Sequence, residues 1–346
     1  MKRALIFNPY FDTLGGGEKY TSGVIIALLQ QGFEVTVAWH DNTLAEKLSS
    51  RFGITLSVLI DPNVYNVLTK GSIIERITTE SKFDLIFWVS DGSIPFLFGK
   101  RNFLHFQVPF SGLKKSPVDW FKWKMIHKIV CNSVFTKKVI DATYGVNSVV
   151  LYPPCTLIKP LVKEKIILSV GRFDGLLHSK RQDILIDAFK QLKLSGWKLV
   201  LAGGDMGQTD NLKQLKDSIG DSAIELFVNP DHKTIEKLYG QASLYWHAAG
   251  FSIDEQTEPE RVEHFGISTV EAMSAGAVPL VYNAGGQREI VHNEENGFLW
   301  TTIDDLISKS NLIINSPQMM TIMAVAAHKT SEKFSMEHFT HDFAKL

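Results

Sequence analysis

The sequence predicts two α/β domains, each built on a doubly wound parallel sheet. Apolar runs of strand length alternate with helical segments, the order of βαβ units. The alternation stops at Pro153-Pro154 and then starts again. The chain has 346 residues, 45% hydrophobic and 21% charged, which suits two folded domains of ordinary size.

ALIFNPY is an apolar run that ends in a loop, GGGEKY (15–20), and a helix-like stretch follows. FEVTVAW, FDLIFWVS (83–90), RNFLHFQVPF (101–110) and KIVCNS (128–133) repeat the strand-then-loop pattern, and VVLYPPC (149–155) closes this half. Two adjacent prolines fix φ and remove two donors, so neither a helix nor a sheet interior continues through them. The boundary is expected at about 153–164. EKIILSVGRF (164–173) is the next strand, RQDILIDAFKQL has helical spacing, and WKLVLAGG, IELFVN and SLYWHAAGF are strands. AVPLVYN (277–283) is a strand and MMTIMAVAAHKTSEKF a helix. The division expected is 1–157, 158–330, and a C-terminal helix in 331–346 packing back toward the first domain. Such sheets bind ligands beyond the carboxyl ends of their strands, so two facing domains would put a cleft between them.

A formal net charge of −1 argues against a generic nucleic-acid binder. Residues 1–157 hold 17 Lys+Arg and 12 Asp+Glu, so the first half is the basic one. Cys131 and Cys155 have neither metal-ligand nor redox spacing, which points to a reduced, cytoplasmic setting. The opening MKRALIFNPYF has too short an apolar run for a signal peptide, and no segment has the length of a membrane span.

The stretch RVEHFGISTVEAMSAGAVP (261–279) carries the chemistry. A turn at His264-Phe265-Gly266 leads into a helix expected to start near Ser268, with Ser268 or Thr269 as cap and Glu271 in the first turn. Unpaired amides and the positive end of the dipole make such a start a phosphate site. Glu263 and Glu271 flank it, and carboxylates accept hydrogen bonds from hydroxyls. Ribose, diphosphate and hexose in a row would match that layout. From spacing alone, a dipole-favoured Glu271 and a surface-loop Glu263 fit as well.

EHFGISTVE resembles the E-x7-E motif of retaining glycosyltransferases of the GT-B fold, family 4. AMSAGAVPLVYNAGGQREIV resembles the segment after that motif. GGGEKY, CNSVFT (131–136), VVLYPPC and SVGRFDGLLHSKRQDILIDAF resemble further motifs of the family in the same order. The resemblance implies a GT-B fold of two Rossmann-like domains and a hexosyltransferase that needs no metal. It implies that Glu271 holds the donor ribose and Glu263 the transferred sugar. Amides around Gly266, Ile267, Ser268 and Thr269 would meet the diphosphate, with Gly16 and Gly17 across the cleft. Arg172 and Lys180 would neutralise the diphosphate as it leaves, a charge that fixed cations and amides must stabilise where no metal does. Two departures stand out: the loop 174–179 is longer than usual, and Arg181 replaces a glycine, so Arg181 competes with Lys180 for the phosphate.

Read from the residues, the run Gly15–Gly17 calls for a close backbone approach or a left-handed turn. His105, at the end of a strand, is either structural or, by resemblance, beside the reacting carbon. In front-face transfer Glu263 and His105 would orient and stabilise, not attack. His247 ends a strand where it could touch nucleotide or sugar. The acidic loop 252–262 reads as a lid or a solvated surface. The WHxAGF and EHFGI versions resemble mannosyltransferases using GDP-mannose, with UDP-sugars the rival donors. The acceptor would be a saccharide or lipid-linked saccharide in surface glycan synthesis. LKKSPVDWFKWKMIHKIV (113–130) mixes Trp120, Phe121, Trp123 and Met125 with lysines. That pattern suits either the anionic inner face of the cell membrane or a packed helix with snorkelling lysines. Rival classes are a non-catalytic nucleotide-sugar-binding subunit, an epimerase of the same fold and a dehydrogenase, although GGGEKY lacks G-x-G-x-x-G spacing.

Overall fold

Each half of the chain folds around one parallel sheet in the computed structural model, which describes residues 1–13, 15–111, 118–173, 180–205, 207 and 210–346. The first half runs β1 (Lys2–Phe7), α1 (Gly16–Gln30), β2 (Phe33–Ala38), α2 (Leu44–Phe52), β3 (Leu59–Ile60), α3 (Pro62–Lys70), α4 (Ile73–Glu80), β4 (Leu85–Val89), β5 (Asn102–Phe106), α5 (Asp119–Lys124), β6 (Lys128–Cys131), α6 (Val134–Tyr144) and β7 (Val149–Val150). The second runs β8 (Glu164–Val170), α7 (Gln182–Leu192), β9 (Lys198–Gly203), α8 (Asn211–Ile219), β10 (Ile224–Val228), α9 (His232–Gln241), β11 (Ala242–His247), α10 (Ile267–Ser274), β12 (Val278–Tyr282), α11 (Gln287–Ile290), β13 (Phe298–Trp300), α12 (Ile303–Ile314) and α13 (Pro317–Ser331). The chain ends on α14 (Met336–Phe343).

The compact units are Met1–Pro154 together with Met336–Leu346, and Cys155–Ser335. Residues 151–163, which include the proline pair, carry no regular structure. The strand orders are β3-β2-β1-β4-β5-β6-β7 and β10-β9-β8-β11-β12-β13. Strand order reverses direction between β1 and β4 in the first sheet and between β8 and β11 in the second. These are the switch points at which doubly wound sheets open a crevice.

Both faces of each sheet are covered, which explains why the strands are apolar throughout. Ala4 and Ile6 enter one core of the first unit while Leu5 and Phe7 enter the other. Leu199 and Leu201 of β9 face one core of the second unit, and Val200 and Ala202 face the other. The C-terminal α14 belongs to the first unit. Its Phe339 meets Tyr20 of α1 edge-on at 5.4 Å, and Phe343 lies against Phe87 and Phe103. No described helix is long and apolar enough to cross a membrane.

Candidate functional site

The second unit gathers its candidate groups at the β8/β11 switch point. Arg172 follows β8 by two residues, and His247 is the last residue of β11. Lys180 precedes α7, and Glu263 lies between β11 and α10. Lys180 Nζ donates to Glu263 Oε2 at 2.6 Å, and His247 Nε2 lies 2.7 Å from the same oxygen. A carboxylate only accepts, so His247 carries its proton on Nε2, and its buried Nδ1, without a partner among the described residues, is a lone pair. Among the described residues, Glu263 Oε1 makes no hydrogen bond.

Opposing effects act on Glu263. Burial raises its pKa, but the Lys180 ammonium and the His247 hydrogen bond outweigh that and hold the carboxyl well below the usual range. The balance is physically reasonable. At an effective dielectric of about 20, charges about 3 Å apart attract by roughly 5 kcal/mol, comparable to the several kcal/mol lost on desolvation. Burial pulls His247 the other way, below its ordinary pKa, against the pull of Glu263.

The motif backbone is fixed by glycines. Gly266 caps α10 at φ 122°, and a Cβ there would lie 2.9 Å from Gln287 Nε2. The helix therefore starts earlier than expected. Neither Ser268 nor Thr269 is the cap, and Glu271 lies beyond the first turn. Both hydroxyls are engaged inside the fold: Ser268 Oγ accepts from Tyr245 at 2.8 Å, and Thr269 Oγ1 accepts from Gln287 at 3.0 Å. The Thr269 N–H, expected at the diphosphate, donates instead to the Gly266 carbonyl at 3.0 Å, and the amides of Ile267 and Ser268 are those that helix geometry leaves without an intrahelical acceptor. A second close approach holds Glu263 itself. Gly286 donates its N–H to the Glu263 carbonyl at 2.8 Å, and a Cβ on Gly285 would fall 2.1 Å from that oxygen.

Half-buried Glu271 points its effect toward α9 and β11. Burial pushes the Tyr239 and Tyr245 hydroxyls up, and the Glu271 carboxylate adds to both. Tyr245 also feels Glu263 and reaches the Val170 carbonyl at 3.3 Å. It ties the start of α10 to the end of β8. Sequence reasoning passed over Tyr245 and Gln287, and the only available signal was polar groups inside apolar elements.

Arg181 is engaged away from Lys180. It pairs with Asp183, donates to the Phe251 carbonyl at 3.0 Å and lies over the Phe251 ring. Its φ is 51°, the left-handed region, which costs a non-glycine residue about 1–2 kcal/mol. The loop 174–179 lies outside the described residues.

In the first unit, α1 opens at Gly16 without positive φ anywhere in Gly15–Gly17. Handedness does not explain Gly17, and a Cβ there would meet only the end of the flexible Gln107 side chain, with Oε1 at 2.2 Å. Glu18 is buried and accepts from Gly15 N at 2.7 Å and Thr13 Oγ1 at 2.6 Å. His105 is fully buried, stacked on Tyr20 at 4.1 Å. Its Nδ1 is 3.1 Å from the Val130 carbonyl and must carry the proton, so Nε2 is a buried acceptor without a partner among the described residues. Burial lowers its pKa to about 3, so the ring is neutral near pH 7.

A family model described as Glycosyl transferases group 1 matches residues 158–330. A GDP-Man:Man(3)GlcNAc(2)-PP-Dol alpha-1,2-mannosyltransferase of Dictyostelium discoideum is 30% identical over 156 residues, covering 43% of this chain and 28% of that protein. The alpha-1,3/1,6-mannosyltransferase ALG2 of Homo sapiens is 25% identical over 268 residues, 66% of this chain and 60% of that protein. The chain thus spans between 28% and 60% of the length of these curated relatives. A solved glycosyltransferase of Rickettsia africae superposes with a TM-score of 0.76 at 17% identity, covering 99% of this chain and 97% of its own. Anabaena HepE, solved with UDP and glucose, gives 0.73 at 20% identity over 100% of this chain and 99% of its own. The fold is GT-B, as the sequence motifs implied.

The Glu263 geometry has a pH signature. A carboxyl whose folded pKa is depressed adds stability above the unfolded value of about 4.3, and loses it as pH falls toward the folded one. Lys180→Met removes the larger lowering influence. It should cost about 3 kcal/mol at pH 7, and the gap to wild type should narrow by pH 4 as Glu263 protonates in the variant. Urea midpoints at both pH values measure this, and a gap independent of pH would contradict the pairing.

Proposed function

The chain belongs to the group 1 glycosyl transferases, and on that premise we propose that it is a retaining, metal-independent hexosyltransferase. In this reading it moves mannose from GDP-mannose to a saccharide or lipid-linked saccharide acceptor. The observation that carries the reading is Glu263, whose Oε2 takes both Lys180 and His247 while Oε1 is left to accept from a sugar hydroxyl. Glu263 then orients the hexose. The opening amides of α10 receive the diphosphate, Glu271 takes the ribose hydroxyls, and Lys180 with Arg172 carries the charge that grows on the leaving group. Donor binding gives Lys180 a second anion to serve. His105 enters as a neutral acceptor through Nε2, not as an acid. GDP-mannose is favoured over a UDP-sugar by the relatives named for GDP-Man and by the EHFGI version of the motif.

The membrane part of the reading rests on α5 in a cytoplasmic enzyme bound at the inner face of the cell membrane. Trp120 is 57% and Phe121 59% exposed, and Lys124 lies 3.5 Å over the Trp120 ring. Lysines 114 and 115 of the same segment lie outside the described residues. Exposed aromatics among lysines suit an anionic bilayer better than water.

A thermal-shift panel of GDP, UDP and ADP with their sugars, with and without EDTA, tests the donor. GDP at about 100 times its Kd should stabilise by roughly 2.7 kcal/mol, insensitive to EDTA, and UDP should do much less. Glu271→Ala should weaken GDP binding about tenfold or more, and unchanged affinity would remove the ribose role. Flotation should recover the protein with anionic vesicles at low salt and lose it in Trp120→Ser/Phe121→Ser. Absence of flotation by the wild type would remove the membrane part alone.

A further inference from the structure

The loop that follows β11 is built for something other than a lid. Gly250 (φ 88°) and Ser252 (φ 64°) turn it sharply. Asp254 then nucleates a turn by accepting from Gln256 N through Oδ1 at 3.0 Å and from Glu258 N through its carbonyl at 2.9 Å. This presents Glu255 to the glycine pair after β12. Glu255 Oε2 accepts from Gly285 N at 2.8 Å, and both carboxylate oxygens meet the Arg288 guanidinium. The next amide, Gly286 N, holds the Glu263 carbonyl. At the loop's other end, the Phe251 carbonyl accepts from the guanidinium of Arg181, the residue after Lys180, whose backbone is left-handed.

One short segment thus reaches both sides of the Lys180–Glu263 pair, through the Arg181 guanidinium on one side and the Gly285 N–H on the other. We propose that residues 248–258 form a brace that sets the spacing of Lys180 and Glu263, with Glu255 and Arg181 as its positioning residues. The Gly285 N–H bond does most of this. The Glu255–Arg288 pair is partly exposed and adds little by itself. Moving Glu263 by even 1 Å displaces whatever its carboxylate orients, which can cost about 10²-fold in rate. The brace therefore acts on turnover more than on donor affinity. The consequence for turnover rests on the glycosyltransferase reading above, whereas the brace itself is a property of the unliganded fold.

The test uses the full chain and the variants Glu255→Ala, Glu255→Gln and, as a control in the same loop, Glu258→Ala. Hydrogen exchange is followed in peptides 259–266 and 283–290 by mass spectrometry. The brace predicts faster exchange at both peptides in Glu255→Ala. It predicts near wild-type exchange in Glu255→Gln, whose amide oxygen still accepts from Gly285, and in Glu258→Ala. With GDP-mannose as donor, kcat should fall about tenfold in Glu255→Ala while the donor KM moves less than about threefold, and Glu255→Gln should restore most of it. Wild-type exchange at both peptides in Glu255→Ala would overturn the brace. Equal losses in Glu255→Ala and Glu258→Ala would overturn it too, because any change in the loop would then suffice. A wild type that does not bind GDP would refute the donor reading alone, and the exchange result would still decide the brace.

Discussion

One oxygen atom organises the second unit. Glu263 Oε2 receives an ammonium and an imidazole N–H within hydrogen-bond distance, in a crevice where a lone carboxylate would be costly. Everything nearby serves to keep those three groups in register. The β8 end and the start of α7 bring Lys180, the β11 end brings His247, and the Gly285-Gly286 turn holds the Glu263 backbone. The arrangement leaves the carboxylate ionised, with one oxygen committed to Lys180 and His247 and the other without a hydrogen bond among the described residues. That is what orienting a polyhydroxylated ligand requires.

The same arrangement leaves Lys180 paired with Glu263 in the free protein. Lys180 and Glu263 neutralise one another, so neither is a naked charge in a partly buried place. Under the proposed function, Lys180–Glu263 is a stored contact between a cation that would serve phosphate and a carboxylate that would serve a sugar. Tyr245 and Gln287 keep the start of α10 against that pair through Ser268 and Thr269.

Much of this was legible in the sequence, and the reasons for the rest are physical. The strand sequence ALIF, LIFWV and KLVLAG announced buried parallel strands because both faces of each sheet are covered. The two-residue β3 and three-residue β13 were invisible, since two or three residues carry no periodicity. The cap of α10 was misplaced because Ser268 and Thr269 are good caps in isolation. Here Tyr245 and Gln287 take their hydroxyls, and a glycine at φ 122° makes the turn instead. Lys180, Glu263 and His247 were each nominated by motif or position, but nothing in their spacing could say that they share one oxygen. In the sequence Glu255 belongs to an acidic lid or solvated surface, because its partners, Gly285 and Arg288, come from a segment about 30 residues away.

The most direct measurement is the affinity for GDP, by isothermal titration calorimetry, of the wild type and Glu263→Gln. If Lys180 exchanges its carboxylate for the diphosphate, the glutamine variant has a free cation and one less repelling anion. It should bind GDP several-fold tighter while losing transfer from GDP-mannose. Equal or weaker GDP binding by Glu263→Gln would contradict the stored-contact account, because Lys180 would then owe its phosphate affinity nothing to release from Glu263.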